Sequence, residues 1–323
     1  MEDSFNDEKL VIAVKELKDM LINKTTMNVN EKDKAKTLFP IVDECDFESD
    51  LELAFFVVGW KYDLNKAIET IGKSRELRNS SEKLRVARRN IRSGKIVNIE
   101  DFPHRDDVNK YWEHDQTHTG VFTKDNMPVA ICRVGEVDLY GMQDNVPVED
   151  FQEYMIYVFE YRLFMLENIM KKQKKNNNNN MEEQQQNNSL PRFVDIHCLN
   201  CPRGFLSTFS YSNIQYFRWW MGVLGPAYPE QCSHVILVNT PWVFYGGWGI
   251  TKGWLPTRTV EKIEILGSDV ETWRAESSSL ISKIGKECVD NCIKYLAREQ
   301  MDDKNEKEDN NDDKKKKEKM QEK

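Results

Sequence analysis

The sequence predicts an α/β protein in which a helical N-terminal region precedes a largely parallel β-sheet covered by helices. Four short runs rich in β-branched residues, PVAICRV, FVDI, HVILVNTP and KIEIL, begin at Pro128 and predict strands. A long amphipathic segment separates the first two runs, and a second helical segment around 212–223 separates the second run from the third. Near-continuous apolar strands that alternate with helices are typical of parallel sheets.

The helices are predicted from apolar spacing and from capping residues. Apolar residues recur at steps of three and four over 10–21, which predicts the first helix. A second helical pattern follows Ser49 and a third follows Asp63, and both residues are suitable N-caps. The long segment between the first two strands keeps helical spacing over 151–169, and Asp150 suits the positive N-terminal end of that helix.

The composition excludes several classes of protein. The 323 residues carry a net charge of −8, which argues against general affinity for nucleic acid. The longest stretch without an ionisable side chain, 235–251, contains proline and glycine and is shorter than the roughly 20 apolar residues of a spanning helix. The amino terminus is acidic, unlike a secretory signal, so we expect a cytoplasmic protein whose seven cysteines are mostly reduced.

Two segments are expected to remain outside the fold. Residues 171–189 contain one methionine and no other apolar side chain, which predicts a disordered Asn/Gln-rich surface insertion. The tail over 299–323 is dominated by charged residues and is also predicted to be disordered. We therefore expect a helical region over 1–100 and an α/β domain over 101–298.

One aromatic segment does not fit an ordinary α/β core. WVFYGGWGITKGWLP follows the third strand, and each glycine inside a helix costs about 1 kcal/mol relative to alanine. The composition favours a mobile apolar cover over a ligand cavity. The cover residues are Trp242, Phe244, Tyr245, Trp248, Ile250, Trp254 and Leu255, and the hinge residues are Gly246, Gly247, Gly249 and Gly253. The alternative is that these aromatic residues simply fill the core.

Four motifs occur in the order found in one known family. Residues 228–268 resemble the most recognisable stretch of the CRAL-TRIO lipid-binding domain, in which YPE, a strand ending in N-x-P, a gate helix and K-I-x-I-L-G follow one another. FVVGWKYDLNKAIETI resembles the helical N-terminal extension of that domain, DNMPVAICRVGEVDL its strand entry, and FVDIHCLN its central strand. The resemblance covers about residues 50–275 and implies the CRAL-TRIO fold, with a gate helix over a hydrophobic lipid cavity.

The resemblance to the phosphatidylinositol-transfer branch of this family implies a headgroup site. The branch pairs a glutamate in YPE with a lysine in K-I-x-I-L-G and a threonine three residues earlier, which here are Glu230, Lys262 and Thr259. An acceptor and a donor that face one polyol can each hydrogen-bond its hydroxyls, and lysine and threonine can also bind phosphate oxygen. The alternative is a plain ion pair at the sheet edge, which would contribute about 0–1 kcal/mol and no function.

The sequence also departs from that branch. The arginine that usually precedes K-[FY]-D is Trp60 here, and Phe55 and Val58 replace two other customary arginines, so the usual contact to the lipid phosphate is missing. Arg192 and Leu190 stand where relatives that also carry phosphatidylcholine present small hydroxyl side chains. We therefore expect choline-lipid binding to be weak or absent.

A basic helix is a candidate for membrane contact. Four arginines in LRVARRNIRSGK fall at helical steps that place them on one stripe: Arg85, Arg88, Arg89 and Arg92. Basic residues near an anionic leaflet contribute about 1 kcal/mol each, which would suffice for reversible docking. The alternative is a solvated helix face without a partner.

The resemblance implies a lipid carrier with a gated cavity. A two-chain lipid in water exposes on the order of 30 methylenes at about 0.8 kcal/mol each, so it must stay covered until the protein meets a bilayer. We expect a monomer that contacts anionic membranes transiently and exchanges phosphatidylinositol or a related phospholipid, which it holds as a ligand without a cofactor. The alternative is a regulatory interaction protein whose docking to a partner depends on another hydrophobic ligand, such as a sterol or an isoprenoid.

No motif of an enzyme or of a metal site is complete. Cys198 and Cys201 beside His197 supply only half of a zinc site, and Cys288 and Cys292 fit better as small core residues. The two histidines of HDQTH lack the glutamate of H-E-x-x-H, and neither a G-x-S-x-G elbow nor a P-loop occurs. We expect no metal site and no enzymatic activity.

Overall fold

The computed structural model describes residues 8–30, 48–112, 119–179, 189–200, 216, 219–254, 257–275, 278–294 and 296. The strands are β1 (Val129–Cys132), β2 (Phe193–Cys198), β3 (Cys232–Val238) and β4 (Ile263–Ile265). The helices are α1 (Glu8–Asn30), α2 (Asp50–Gly59), α3 (Leu64–Arg78), α4 (Glu82–Arg92), α5 (Arg105–Asn109), α6 (Leu139–Asn145), α7 (Val148–Asn179), α8 (Gly225–Ala227), α9 (Trp242–Thr251), α10 (Thr257–Glu261), α11 (Val270–Arg274) and α12 (Ser279–Ile284). Among these helices, none has both the length and the hydropathy needed to cross a bilayer.

The N-terminal helices begin at the caps that the sequence predicts. The Ser49 side chain accepts a hydrogen bond from the backbone N–H of Glu52, 3.2 Å away, at the start of α2. Asp63 accepts from the backbone N–H of Lys66 over 3.1 Å at the start of α3. Each cap satisfies a backbone donor that has no partner within its helix.

The sheet is parallel throughout, with the strands in the order β1-β2-β3-β4. The predicted strand and helix alternation is therefore confirmed. Pairing places Asp195, Val235 and Ile263 in one row across β2, β3 and β4, and Leu237 pairs with Ile265 two residues further along. Because side chains alternate along a strand, these residues lie on the same face of the sheet.

The long helix α7 extends further than the sequence predicts. It runs to Asn179, so the first nine residues of the segment predicted as a disordered insertion, 171–179, continue the helix. Lysine and glutamine are good helix formers, and extending an existing helix adds one hydrogen bond for each residue that is fixed. The rest of that segment up to 188, like the tail from 297, lies outside the described residues.

The N-terminal helices share their core with the sheet. Residues of α1, α2 and α3 form one apolar cluster with Ala130, Leu163 and Phe193 from β1, α7 and β2. By compactness the chain divides into one unit of Met1–Thr119 with Val129–Ser268 and a second of Gly120–Pro128 with Asp269–Lys323. The helical region is therefore part of the unit that contains the sheet.

The second unit has its own interior. The backbone N–H of Lys124 donates to the carbonyl of Ile284 over 3.0 Å, and its ammonium donates to the carbonyl of Ser282 over 2.7 Å. Cys288 and Cys292 are both buried, as expected of small core residues.

Candidate functional site

Glu230 lies in the turn that leads into β3, in a backbone conformation that side chains disfavour. Its φ is 60°, in the left-handed region, where a non-glycine residue is sterically strained. Neighbouring elements hold the turn in place. The Ser74 hydroxyl of α3 donates to the carbonyl of Ala227 over 2.9 Å, and the Gln231 amide donates to the carbonyl of Phe159 in α7 over 3.2 Å. The turn that carries Glu230 is thus tied to α3 and α7.

Lys262 lies directly before β4 and contacts Glu230. Its ammonium donates to Glu230 Oε2 over 2.9 Å and to the carbonyl of Cys232 over 2.8 Å. Its backbone N–H donates to the carbonyl of Thr259 over 3.1 Å, which ties the lysine to α10. The structure therefore brings together Glu230 and Lys262, and it places Thr259 on the adjacent helical turn.

Two arginines reach the same carboxylate. Arg258 of α10 has its Nε 2.7 Å from Glu230 Oε1 and donates from Nη2 to Oε2 over 3.2 Å. Arg192, just before β2, has its Nη2 3.6 Å from Oε2. We call Glu230, Lys262, Arg192 and Arg258 the Glu230 cluster. It contains one acid and three cations, and the side chain of Glu230 is 6% exposed against 12–28% for the cations.

The cluster lies at the amino ends of the strands. Arg192 immediately precedes β2, Glu230 lies in the turn before β3, and Lys262 immediately precedes β4. These three strands are neighbours in the parallel sheet. The C-terminal end of α2 also lies here, because a Cβ added to Gly59 would be 3.4 Å from Glu230 Cγ. Trp60 therefore follows a residue that lies close to the cluster.

Beyond the cluster, the sheet presents an apolar face that is incompletely covered. Val235, Ile263 and Ile265 lie on the face shared with Asp195, and all three are only half-buried. They pack against the larger apolar core, which also contains Phe244 of α9. An incompletely covered apolar surface beside a charged edge is the arrangement that an amphipathic ligand requires.

The glycine-rich aromatic segment forms a helix, α9, with aromatic residues on two sides. Phe244 is buried and stacks on Trp248 with ring centroids 5.7 Å apart, and both contact the core. Trp242 and Tyr245 point outward and are 86% and 53% exposed. The side chains of Ile250, Trp254 and Leu255, also predicted as cover residues, lie outside the described part of the chain.

The predicted hinge glycines do not interrupt the helix α9 in this structure. Gly246, Gly247 and Gly249 lie inside α9, and Gly253 lies in the 3₁₀ turn Lys252–Trp254 that follows it. Glycine weakens a helix interior without interrupting it, because the hydrogen bonds of the helix do not need a side chain.

The four arginines of the predicted basic stripe do not form one exposed surface, because Arg88 is buried and the other three are only partly exposed. Arg88 is 2% exposed and donates to Glu52 over 2.6 Å. Arg92 donates to Glu167 of α7 over 2.9 Å, and Arg85 pairs with Glu82 in its own helix. Arg89 is half-buried, so none of the four arginines is fully exposed.

Arg88 instead belongs to an ion network inside the protein. Arginines of α3 and α4 alternate with glutamates of α2, α7 and the residues just before α2. We call this set the buried arginine network; its members are Arg75, Arg78, Arg88, Arg92, Glu48, Glu52, Glu160 and Glu167. Although burial raises the pKa of Glu52, the charges of Arg88 and Arg78 outweigh it and lower the pKa to about 2. Glu52 is therefore ionised in the folded protein at neutral pH.

The network extends to the turn that carries Glu230. The Tyr228 hydroxyl donates to Glu160 Oε1 over 2.8 Å, and burial together with the Glu160 charge raises the pKa of Tyr228 well above its usual value. Tyr228 therefore remains a neutral donor. Its hydrogen bond ties α7 to the turn that carries Glu230, two residues further along the chain.

Two polar side chains of β2, Asp195 and His197, were not predicted as a group from the sequence. Asp195 of β2 accepts a hydrogen bond from Arg162 of α7 over 2.7 Å. Burial lowers the pKa of His197, so this imidazole is neutral, and its Nδ1 has no hydrogen-bond partner among the described residues. The only sequence signal for this group was the aspartate of the central-strand motif.

Among the described residues, one group has the composition of a metal site. The ligand atoms of His104, Asp150 and Glu153 lie within 4.8 Å of one another. The Lys83 ammonium lies 3.0 Å from Asp150 and 3.6 Å from Glu153, so a cation of the protein already lies against both carboxylates. Cys201 and the HDQTH histidines fall outside the described residues.

Comparisons with known proteins agree with this architecture. Residues 117–293 match the family model described as the CRAL/TRIO domain. The chain is 23% identical over 191 residues to the Sec14 cytosolic factor of Schizosaccharomyces pombe, and the match covers 58% of this chain and 60% of that protein. The crystal structure of Sfh5 superposes with a TM-score of 0.52 at 12% identity, over 93% of this chain and 100% of the other. Since the family model spans more than half of the sequence, the chain belongs to the CRAL/TRIO domain family.

Proposed function

We propose that this protein binds phosphatidylinositol and exchanges it between membranes. The inositol headgroup binds at Glu230, Lys262 and Thr259, and the acyl chains lie along the apolar face of the sheet beneath α9. The observation that carries the proposal is the contact of Glu230 with Lys262 beside that incompletely covered face. No covalent step is required, because transfer consists of exchanging one bound lipid for another.

Lipid recovery tests the assignment. The purified protein is incubated with vesicles of phosphatidylinositol and phosphatidylcholine, and the bound lipid is identified by native mass spectrometry. We expect phosphatidylinositol from the wild type and a loss of at least about tenfold in Glu230→Ala and Lys262→Ala, because each removes a charge-assisted hydrogen bond.

Matched controls come from a surface ion pair. Glu69 and Lys73 lie 2.6 Å apart on α3 with both side chains more than 60% exposed, so Glu69→Ala and Lys73→Ala remove the same chemistry from the surface. These variants should retain the lipid. Recovery of no lipid, or of a sterol or isoprenoid taken from a cell extract, would contradict the assignment, and the second result would favour a ligand-regulated interaction protein.

We further propose that α9 contacts the membrane during exchange. Its outer side carries Trp242 and Tyr245, whereas the outer side of a helix in water is normally polar. Tryptophan and tyrosine are the residues enriched at the membrane interface. Once this side is inserted, separating α9 from the sheet would expose the apolar face to lipid and not to water.

Vesicle binding tests this role. Trp242→Ala and Tyr245→Ala should each weaken sedimentation with anionic vesicles and slow lipid exchange. Tyr140 on α6 is 51% exposed, so Tyr140→Ala is a control that matches Tyr245→Ala in size and in exposure. Equal effects of all three changes would exclude α9 as the contact surface.

A further inference from the structure

We propose that the outer face of α1 binds the same face of α1 in a second copy of this chain, with the two helices antiparallel. The contact is formed by Ile12, Lys15, Asp19 and Ile22, which we call the α1 seam. The inference goes beyond lipid exchange, because the seam contains none of the residues assigned above to the lipid or to the membrane. It assigns a weak dimer where the sequence led us to expect a monomer.

The inner face of α1 is fully used by the fold. It carries five apolar residues at helical steps, each at most 8% exposed: Leu10, Ala13, Val14, Leu17 and Leu21. These residues pack against α2 and α3 in one apolar cluster. At 3.6 residues per turn, the α1 seam lies on the opposite side of the helix from this stripe.

The outer face of α1 is more apolar than a solvated helix face requires. Ile12 and Ile22 are 50% and 59% exposed, and Val11 beside them is 51% exposed. The outer face of a surface helix is normally polar. The four seam residues follow one another at steps of three, four and three, which is the spacing by which two helices pack side by side.

Two opposite charges lie between the isoleucines of the seam. Lys15 and Asp19 are both exposed, and neither forms a salt bridge with another residue that the structure describes. They are one turn apart with the lysine nearer the N-terminus, which is the less favourable orientation for an ion pair within a helix. Both charges can therefore be paired by a neighbouring molecule.

The order of the seam residues is complementary to itself in one direction only. In an antiparallel pair related by a two-fold axis, Ile12 meets the partner's Ile22 and Lys15 meets the partner's Asp19, and each contact occurs twice. In a parallel pair, Lys15 would meet the partner's Lys15, and two aspartates would meet in the same way. Like charges at close range repel. Charge complementarity therefore selects an antiparallel second copy as the occupant of this face.

The size of the contact sets the expected affinity. The seam spans ten residues, or roughly 15 Å of helix. A groove of about 190 Å³ lies beside it, lined by Leu10, Val11, Val14, Lys15, Lys18 and Asp50. A contact of this length is smaller than the roughly 1,200–2,000 Å² of a stable interface, so we expect a dissociation constant on the order of 10–100 µM.

Sedimentation equilibrium of the full-length protein tests for the dimer. As the concentration rises from about 1 to about 300 µM, the average mass should increase from that of one chain, 38.0 kDa, toward twice that value. Ile12→Glu and Ile22→Glu should each raise the dissociation constant at least about tenfold, because each buries a charge against an isoleucine. Val97→Glu is the matched control at a valine that is 53% exposed outside α1, and it should leave the dissociation constant unchanged.

Charge reversal tests the antiparallel register. Lys15→Glu and Asp19→Lys each place like charges opposite one another, so each variant alone should associate at least about tenfold more weakly. An equimolar mixture of the two variants restores both opposite-charge contacts and should associate about as strongly as the wild type. The double variant Lys15→Glu/Asp19→Lys should also dimerise. The corresponding reversals at Glu69 and Lys73, an exposed pair on α3, should have no effect.

Two results would overturn the inference. The first is a wild-type protein that stays monomeric up to about 300 µM. If Ile12→Glu then lowers the free energy of unfolding, another part of the same chain covers this face. The second is a dimer that neither Ile12→Glu nor the charge reversals weaken, since the contact would then lie elsewhere. Circular dichroism checks the folding of each variant, and should Ile12→Glu not fold, the charge reversals and their mixture decide the question.

Discussion

The buried arginine network and the Glu230 cluster use the same kinds of side chain but differ in charge balance and in exposure. The network has four arginines and four glutamates, and most of its side chains are less than 10% exposed. The Glu230 cluster has three cations for one acid, and its cations retain up to 28% exposure. A buried set is closed to a ligand, whereas a partly exposed set can be reached by one.

The difference also separates stability from binding. Removing one member of a buried ion pair leaves a charge without compensation in a poorly hydrated interior, which is costly. Removing one partly exposed cation from the Glu230 cluster leaves Glu230 with its other two cations, which is less costly. The two regions should therefore respond to substitution in different ways, and the following experiments test that expectation.

The largest effect is expected from Arg88→Met. This change leaves Glu52 and Glu160 buried without one of their partners, so we expect the free energy of unfolding to fall by about 3–5 kcal/mol. Urea unfolding followed by circular dichroism measures the change. Arg85→Met is the control, since its partner Glu82 is 69% exposed, and it should cost about 0.5 kcal/mol or less. Equal costs at the two positions would mean that the network does not stabilise the fold.

A smaller effect concerns pH and Glu52. Its pKa is about 2 in the folded protein against an ordinary value of 4.5. Because the folded value is the lower one, the stabilisation is fully present above pH 4.5 and is lost as the pH falls toward 2. The contribution should decrease from about 3 kcal/mol at pH 6 to about 1 kcal/mol at pH 3. Comparing wild type with Glu52→Gln by urea unfolding isolates it, and a difference independent of pH would contradict the assignment.

The comparison also explains what the sequence could predict. The caps Ser49 and Asp63 were predicted because each acts within three residues of itself. The strands were predicted from their β-branched composition and their flanking turns. The proposed pairing of Glu230 with Lys262 came from a motif and not from periodicity, and in the structure the two side chains are in contact.

The failures share a physical cause, which is the distance in sequence between interacting residues. Helical spacing placed Arg88 on a stripe, but its partners Glu52 and Glu160 are 36 and 72 residues away, so spacing could not tell whether the stripe faces water or the core. Arg192 and Arg258 converge on Glu230 only because β2, β3 and β4 are neighbours at their amino ends. Strand order is not encoded in any local pattern.

Within the Glu230 cluster, replacing the acid should lower the free energy of unfolding more than replacing one of the cations. Glu230→Gln leaves three cations facing one another, and we expect a loss of about 1–2 kcal/mol in the free energy of unfolding. Arg258→Met removes a partly exposed side chain and leaves Glu230 with Lys262 and Arg192, so it should cost less than about 1 kcal/mol. Thermal and urea unfolding of the two variants measure the asymmetry. If Arg258→Met were the more destabilising change, the cluster would be a structural ion pair network like the one around Arg88.

The smallest expected effect is that of salt, which should change the cost of a substitution in the Glu230 cluster but not in the buried arginine network. Raising the ionic strength from 0.1 M to 1 M shortens the Debye length from about 10 Å to about 3 Å, which weakens repulsion among accessible cations and hardly affects buried pairs. The cost of Glu230→Gln, measured as the difference from wild type at each salt concentration, should therefore decrease by several tenths of a kcal/mol. The cost of Arg88→Met should stay constant, because the pairs that it breaks are almost entirely excluded from solvent.

Taking differences cancels the general effect of salt on folding, so a parallel decrease at both positions would mean that the Glu230 cluster and the buried arginine network are screened alike. In that case the exposure of the cluster could no longer account for its availability to a ligand.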